Sequence, residues 1–183
     1  MKGRYFHMFK KRIIGFVLSV IAIFSLSLVV LPTQASAKST LKSFPMRLHR
    51  TWYHYDGHGR YDTIHFSAKK IRSAQYYDHK WYHYTSRLHH RNVNSNKITK
   101  HPNWLVGQTY HYRGAFWTNT MGWNQTAGDG DSYKVETKRF HYRKIRVLSV
   151  AGGAENWISD HFYTHKRIAH KLGNHHFSGE LYY

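Results

Sequence analysis

The chain has 183 residues, with 28 lysines and arginines set against 9 carboxylates, 17 histidines, no cysteine and a net charge of +19. Without cysteine, disulfide stapling and lipobox-type lipid attachment are excluded. So basic a chain favours anionic partners.

Lys2, Arg4, Lys10, Lys11 and Arg12 form a positive head, and residues 13–31 follow without a charged side chain. Pro32 and then Ala35-Ser36-Ala37 complete the pattern of an export signal cleaved after Ala37. The apolar run is also long enough to span a bilayer, so a single uncleaved N-terminal anchor is the competing reading. Cleavage removes five of the basic residues and no acid, lowering the charge from +19 to +14. The organisation expected is a signal segment at 1–37, a flexible lead-in at 38–48 and one β-rich domain at 49–183.

Trp52-Tyr53-His54-Tyr55 opens the domain and returns as Trp81-Tyr82-His83-Tyr84, with shorter echoes at Tyr110-His111-Tyr112-Arg113 and Phe140-His141-Tyr142-Arg143. On a strand, Trp52 and His54 face one side while Tyr53 and Tyr55 face the other. The echoes recur near every 29 residues, but the sequences between them do not align, which favours similar strands of one barrel over a repeat array.

A first strand is expected at about 49–55, a turn at Asp56-Gly57-His58-Gly59, and a second strand at 61–66. Residues 69–73 extend that hairpin or start another strand. The polar stretch 86–102, centred on Asn92, Asn94 and Asn96, reads as a long loop, and 104–112 as the next strand. Residues 114–130 are aromatic and glycine-spaced, closing at Gly128-Asp129-Gly130-Asp131, a turn with too few oxygens for a calcium loop. Residues 133–138 alternate as a strand with one wet face, and 144–150 form a more buried one. A helix follows with Thr164 as its cap, Tyr163 and Ile168 as a staple, and Gly173-Asn174 as its stop. Residues 175–183 read as a closing strand. The fold class expected is mainly β, a small antiparallel barrel or curled sheet with one short C-terminal helix after the signal helix.

Histidine and carboxylate are the only candidates for chemistry. His161 and His165 stand four apart and His89-His90 and His175-His176 are adjacent, yet no Glu follows His161 in a zinc-protease arrangement, so neither a metal site nor a cofactor is expected. Glu136 and His141 are the best pair for a secreted hydrolase or nuclease. There is no nucleophile elbow or phosphate loop, and the expectation is a non-enzymatic protein. The candidate polyanion contacts are Lys69, Lys70, Arg72, Arg87, His89, His90, Arg91, Lys97 and Lys100. Trp117 and Trp123 are the candidates for exposed aromatic contact. Export directs such a surface toward wall or membrane phosphates and away from nucleic acid, by an attraction that salt weakens and histidine protonation strengthens.

Pro45-Met46-Arg47-Leu48-His49-Arg50-Thr51-Trp52-Tyr53 resembles the start of a group of small basic secreted proteins of lactobacilli, which carry Gly-Thr-Trp-Tyr there. The lysine-bearing stretch Ile168-Ala169-His170-Lys171-Leu172-Gly173-Asn174 and the aromatic end are similar too. The resemblance implies secretion and a small β-rich fold; Arg50 replaces the glycine. Arg50-Thr51-Trp52 also keeps the tryptophan of the Gly-x-Trp in a lipocalin's first strand. That likeness implies a barrel with the late helix packed outside and, as an alternative function, a carrier of a small apolar ligand.

Overall fold

The computed structural model describes residues 40–91, 100–125 and 130–183. The leader, Asn92 to Asn96 with Lys97, and Gly128-Asp129 lie outside the described residues, as do Lys38 and Ser39 of the expected lead-in. No helix among the described residues is long and apolar enough to cross a membrane.

Nine strands close a barrel in chain order. They are β1 (Thr51–Gly57), β2 (Arg60–Phe66), β3 (Lys70–Tyr77), β4 (Lys80–Leu88), β5 (Trp104–Tyr112), β6 (Ala115–Gly122), β7 (Asp131–Phe140), β8 (Arg143–Gly152) and β9 (Trp157–Tyr163). A turn of 3₁₀ helix, Met46–Leu48, precedes them and a helix α1, Lys166–Leu172, follows. An odd number of strands cannot alternate direction all the way round a closed barrel. The one parallel junction is β4 to β5, and its pairing is confined to Arg87 with Trp104 and Leu88 with Leu105. The other junctions are antiparallel.

Several hairpins turn on residues in the left-handed region. Asp78 and His79 both have positive φ, as do Arg113 and Gly114. That conformation matches the twist of the flanking strands, so a two-residue connection suffices.

Alternation divides the side chains into two layers. Facing inward, Trp52, Ile64, Phe66, Ile71, Leu88, Leu105, Tyr133, Leu148 and Phe162 form one cluster. Phe44 and Leu48 join them from below, and the Trp52 indole N–H donates to the Leu48 carbonyl at 2.9 Å. Phe66 meets Phe44 and Tyr133 edge-on, with centroids 5.3 and 5.1 Å apart. Each such side chain contributes roughly 1.5–3 kcal/mol by leaving water. These rings pack together inside the barrel. On the outside, Tyr53, Tyr55 and Tyr61 pack with Ile145, Val147 and Tyr163 under α1.

The segment before β1 is not a loose lead-in where it is described. Thr40 is buried, the Leu41 N–H donates to the Gly107 carbonyl at 2.8 Å, and Phe44 and Leu48 enter the core. The expected loop at 86–102 begins later, because residues 86–88 complete β4. The glycine-spaced stretch from 114 is largely strand β6. β9 replaces what the sequence left unassigned before the helix. His165 rather than Thr164 stands at the helix N-terminus, without a side-chain cap, while Gly173 ends it as expected. Residues 175–183 do not form a closing strand. They lie against the outside of the barrel, tied by the isolated bridge of Ile158 with Tyr182.

Candidate polyanion-binding surface

The start of β3 and the end of β4 are antiparallel neighbours, and their register sets Lys70 directly opposite Arg87. Like charges facing each other across a ladder destabilise a sheet. Lys69 lies one residue before β3, and its carbonyl accepts the Leu88 N–H at 2.9 Å, fixing the β3 approach to the β4 exit. The chain then continues as His89-His90-Arg91 while the N-terminal segment crosses above it. The His90 Nδ1–H donates to the Thr40 carbonyl at 3.0 Å, and the Arg91 N–H donates to the Thr40 hydroxyl at 2.8 Å. Together these segments enclose an open cleft of about 420 Å³, lined by Lys42, Lys69, Lys70, Arg87, Leu88, His89 and His90. No carboxylate lines it.

Behind the cleft is an aromatic stack. His89 lies flat on one face of Trp104 and His101 on the other, each with centroids 3.6 Å apart. Trp123 meets Trp104 edge-on at 5.3 Å, and the Arg91 guanidinium sits 5.5 Å from the Trp123 ring. Burial lowers the His89 pKa below the ordinary imidazole value, and the charges of His101, Arg87 and Lys69 lower it further. An anion entering the cleft would reverse the second effect and draw a proton onto the ring.

Five of the expected polyanion contacts, Lys69, Lys70, Arg87, His89 and His90, are thus gathered at one place. Arg72 is exposed farther along the same face of β3, paired with Thr85. Arg91 turns toward Trp123, where its guanidinium donates to the Trp123 carbonyl at 3.3 Å. Lys100 is exposed just before His101. Lys42 was missed, because a polar stretch next to a leader carries no periodic signal.

The aromatic pair separates. Trp123 is half-buried beside the cleft. Trp117 is a correction: at 4% exposure it is not an exposed contact. It belongs to β6, and alternation puts it on the outer face under the C-terminal segment, with Ala151, Ile158 and Tyr182. The Lys134 ammonium lies 5.1 Å from its ring.

No protein-family model, curated protein or solved structure matches this chain.

The strongest competitor is a buried polar cluster elsewhere on the outer layer, under the C-terminal segment. Glu180, with its side chain 2% exposed, accepts from Lys134 at 2.7 Å, His161 Nε2 at 3.0 Å, the Tyr182 hydroxyl at 2.7 Å and the Ser149 hydroxyl at 3.3 Å. Lys138 reaches Glu180 at 3.2 Å and Glu136 at 2.7 Å. Burial alone would raise the Glu180 pKa, but the hydrogen bonds from His161, Lys134 and Tyr182 and the Lys134 charge overcome it and hold the carboxyl far below its usual range. A serine, a histidine and a carboxylate therefore meet, but in the wrong order for nucleophilic catalysis. The carboxylate stands between the other two, and the Ser149 hydroxyl donates to it rather than to an imidazole. The arrangement is suited to clamping the C-terminal segment onto β7, β8 and β9.

The expected catalytic pair is not brought together. Glu136 is held by Lys134 and Lys138, while His141 sits in the β7–β8 turn against Phe140. His161 lies in β9 and His165 at the helix start, so they do not share a helical face. Among the described residues, no group of three or more His, Cys, Asp or Glu is placed to hold a metal ion.

Proposed function

We propose that this is a secreted, non-enzymatic, cell-envelope-associated protein that holds anionic wall polymer in the cleft of Lys42, Lys69, Lys70, Arg87, His89 and His90. The observation that carries the reading is the composition of that cleft: five basic or imidazole side chains from the expected set plus Lys42, with no carboxylate among them. Lys70 and Arg87 repel each other in the unliganded protein, and a phosphate polymer lying between them removes that repulsion. The leader and the +19 charge support an envelope location, where dense polyanions are wall phosphates and anionic membrane.

The test is co-sedimentation of the protein with intact walls and with walls stripped of phosphate polymers, at pH 5 and 7 in low and high salt. Retention that needs the polymer, falls with salt and rises in acid supports the proposal. Retention indifferent to salt and pH would overturn it. The Lys70→Glu, Arg87→Glu double variant locates the effect: retention unchanged by it removes the cleft from the account.

A further inference from the structure

The fourth aromatic echo has no place in the polymer cleft, and its position in the fold gives it another one. Phe140 ends β7, His141 and Tyr142 form the turn with His141 at φ 50°, and Arg143 begins β8. That turn projects beside α1, and the two enclose an open groove of about 590 Å³. The groove's floor is apolar, made by Phe140, Ile145, Ile168 and Leu172. Arg143, Arg167 and Lys171 stand exposed around it, and none of the residues lining it is acidic. Tyr142 is at the lip, fully exposed at 102%.

From this combination we infer a second binding site, for a single-chain anionic amphiphile whose acyl chain lies on the Phe140–Ile168 floor and whose head group meets Arg143 and Lys171. The volume is within the range of small-molecule sites, about 300–1,000 Å³. Charge complementarity selects the head group. In a protein with only nine carboxylates, those of Glu136 and Glu180 are neutralised inside the C-terminal clamp, and Arg143, Arg167 and Lys171, which form no ion pair among the described residues, surround one apolar floor. Lys171 has a double role, since its ammonium lies 5.5 Å from the Phe140 ring and so spans floor and rim. This site shares no lining residue with the polymer cleft, and the inference does not depend on that reading.

The test uses lysophosphatidylglycerol below its micelle concentration, with lysophosphatidylcholine of the same chain length and glycerol phosphate as controls, followed by calorimetry and methyl NMR of the purified protein. The expected result is binding of lysophosphatidylglycerol at least about tenfold tighter than lysophosphatidylcholine, no binding of glycerol phosphate in the groove, and shifts confined to the Ile145, Ile168 and Leu172 methyls. Arg143→Glu with Lys171→Glu, both exposed, should abolish that preference while the fold, followed by circular dichroism, is kept. Ile168→Asp should abolish binding of both amphiphiles, and if it fails to fold the rim variant still decides. Equal binding of the two amphiphiles, or binding untouched by the rim variant, overturns the inference. Capture only by phosphatidylglycerol vesicles, with no binding of the monomeric amphiphile, would overturn it in favour of a membrane-facing surface.

Discussion

Replacing Glu180 by glutamine tests the clamp that fixes the C-terminal segment. The substitution keeps shape and removes one negative charge from a site where Lys134 is 7% exposed, Lys138 18% and His161 1%. Glu136 then faces both lysines alone. Breaking a buried ion pair by removing one partner costs about 3–5 kcal/mol, because the charge left behind stays desolvated. At about 3–5 °C per kcal/mol for a domain of this size, the melting temperature should fall by roughly 10–25 °C. The pH dependence carries its own sign. A carboxyl depressed in the folded state stabilises above its unfolded pKa of about 4.3 and loses that contribution as pH falls. The gap between the parent and Glu180→Gln should therefore be full at pH 6 and shrink steadily below about pH 4. Thermal melts followed by circular dichroism between pH 2 and 7 measure it. A fall under about 3 °C at pH 6, or a gap that does not narrow in acid, would refute the reasoning. Lys134→Met with Glu180→Leu, which removes the central ion pair, should recover part of the loss.

Lys70→Glu with Arg87→Glu should weaken binding to phosphate polymer by about tenfold or more in low salt and flatten the salt dependence, read from polymer titrations at two ionic strengths. Polymer binding should tighten from pH 7 to pH 5, by up to about tenfold per pH unit for each proton taken up, and His89→Gln should reduce that slope without removing binding at pH 7. Gly130→Ala should destabilise by about 3 kcal/mol or more: φ is +66° there and an added Cβ would collide with the Thr120 carbonyl oxygen. Denaturant unfolding gives that value directly.

The barrel was legible because the strongest strands carry strict alternation. Trp52 inward with Tyr53 outward, and Tyr133 inward with Lys134 outward, follow the period of two. The hairpins at Asp78-His79 and Arg113-Gly114 were harder, since neither is the Asn-Gly or Asp-Gly pair that announces such a turn. β9 was missed because Asp160 and His161 interrupt its apolar pattern, and only the structure shows His161 turned onto Glu180. Local sequence makes residues 175–183 look like a strand, but the Glu180 side chain is drawn to Lys134, far away in the chain, and the Phe177 N–H donates to the Tyr182 hydroxyl inside the segment instead of to a neighbouring strand. The cleft was half legible. A run of basic residues marks Lys69, Lys70 and Arg87 to Arg91, whereas the approach of Lys42 depends on the Leu41 contact with Gly107. Trp117 misled because glycines on either side suggested a loop, and burial on an outer face depends on a segment some 60 residues later.

The parallel junction has a consequence for how the molecule bears load. β7 and β8 are laced from Ser132 with Ala151 to Phe140 with Arg143, but β4 and β5 share only two residue pairs. Under tension or thermal breathing, that seam and the closing junction of β1 with β9, paired only at Tyr53 with Tyr163, are where the wall parts first, and amide exchange at Arg87 and His89 should be faster than at the strand-end amides of β7 and β8. The polymer cleft runs from β3 onto this same seam. A polymer lodged there, as proposed, would act as a rivet across a weak joint, and the protein would then be mechanically tougher anchored than free.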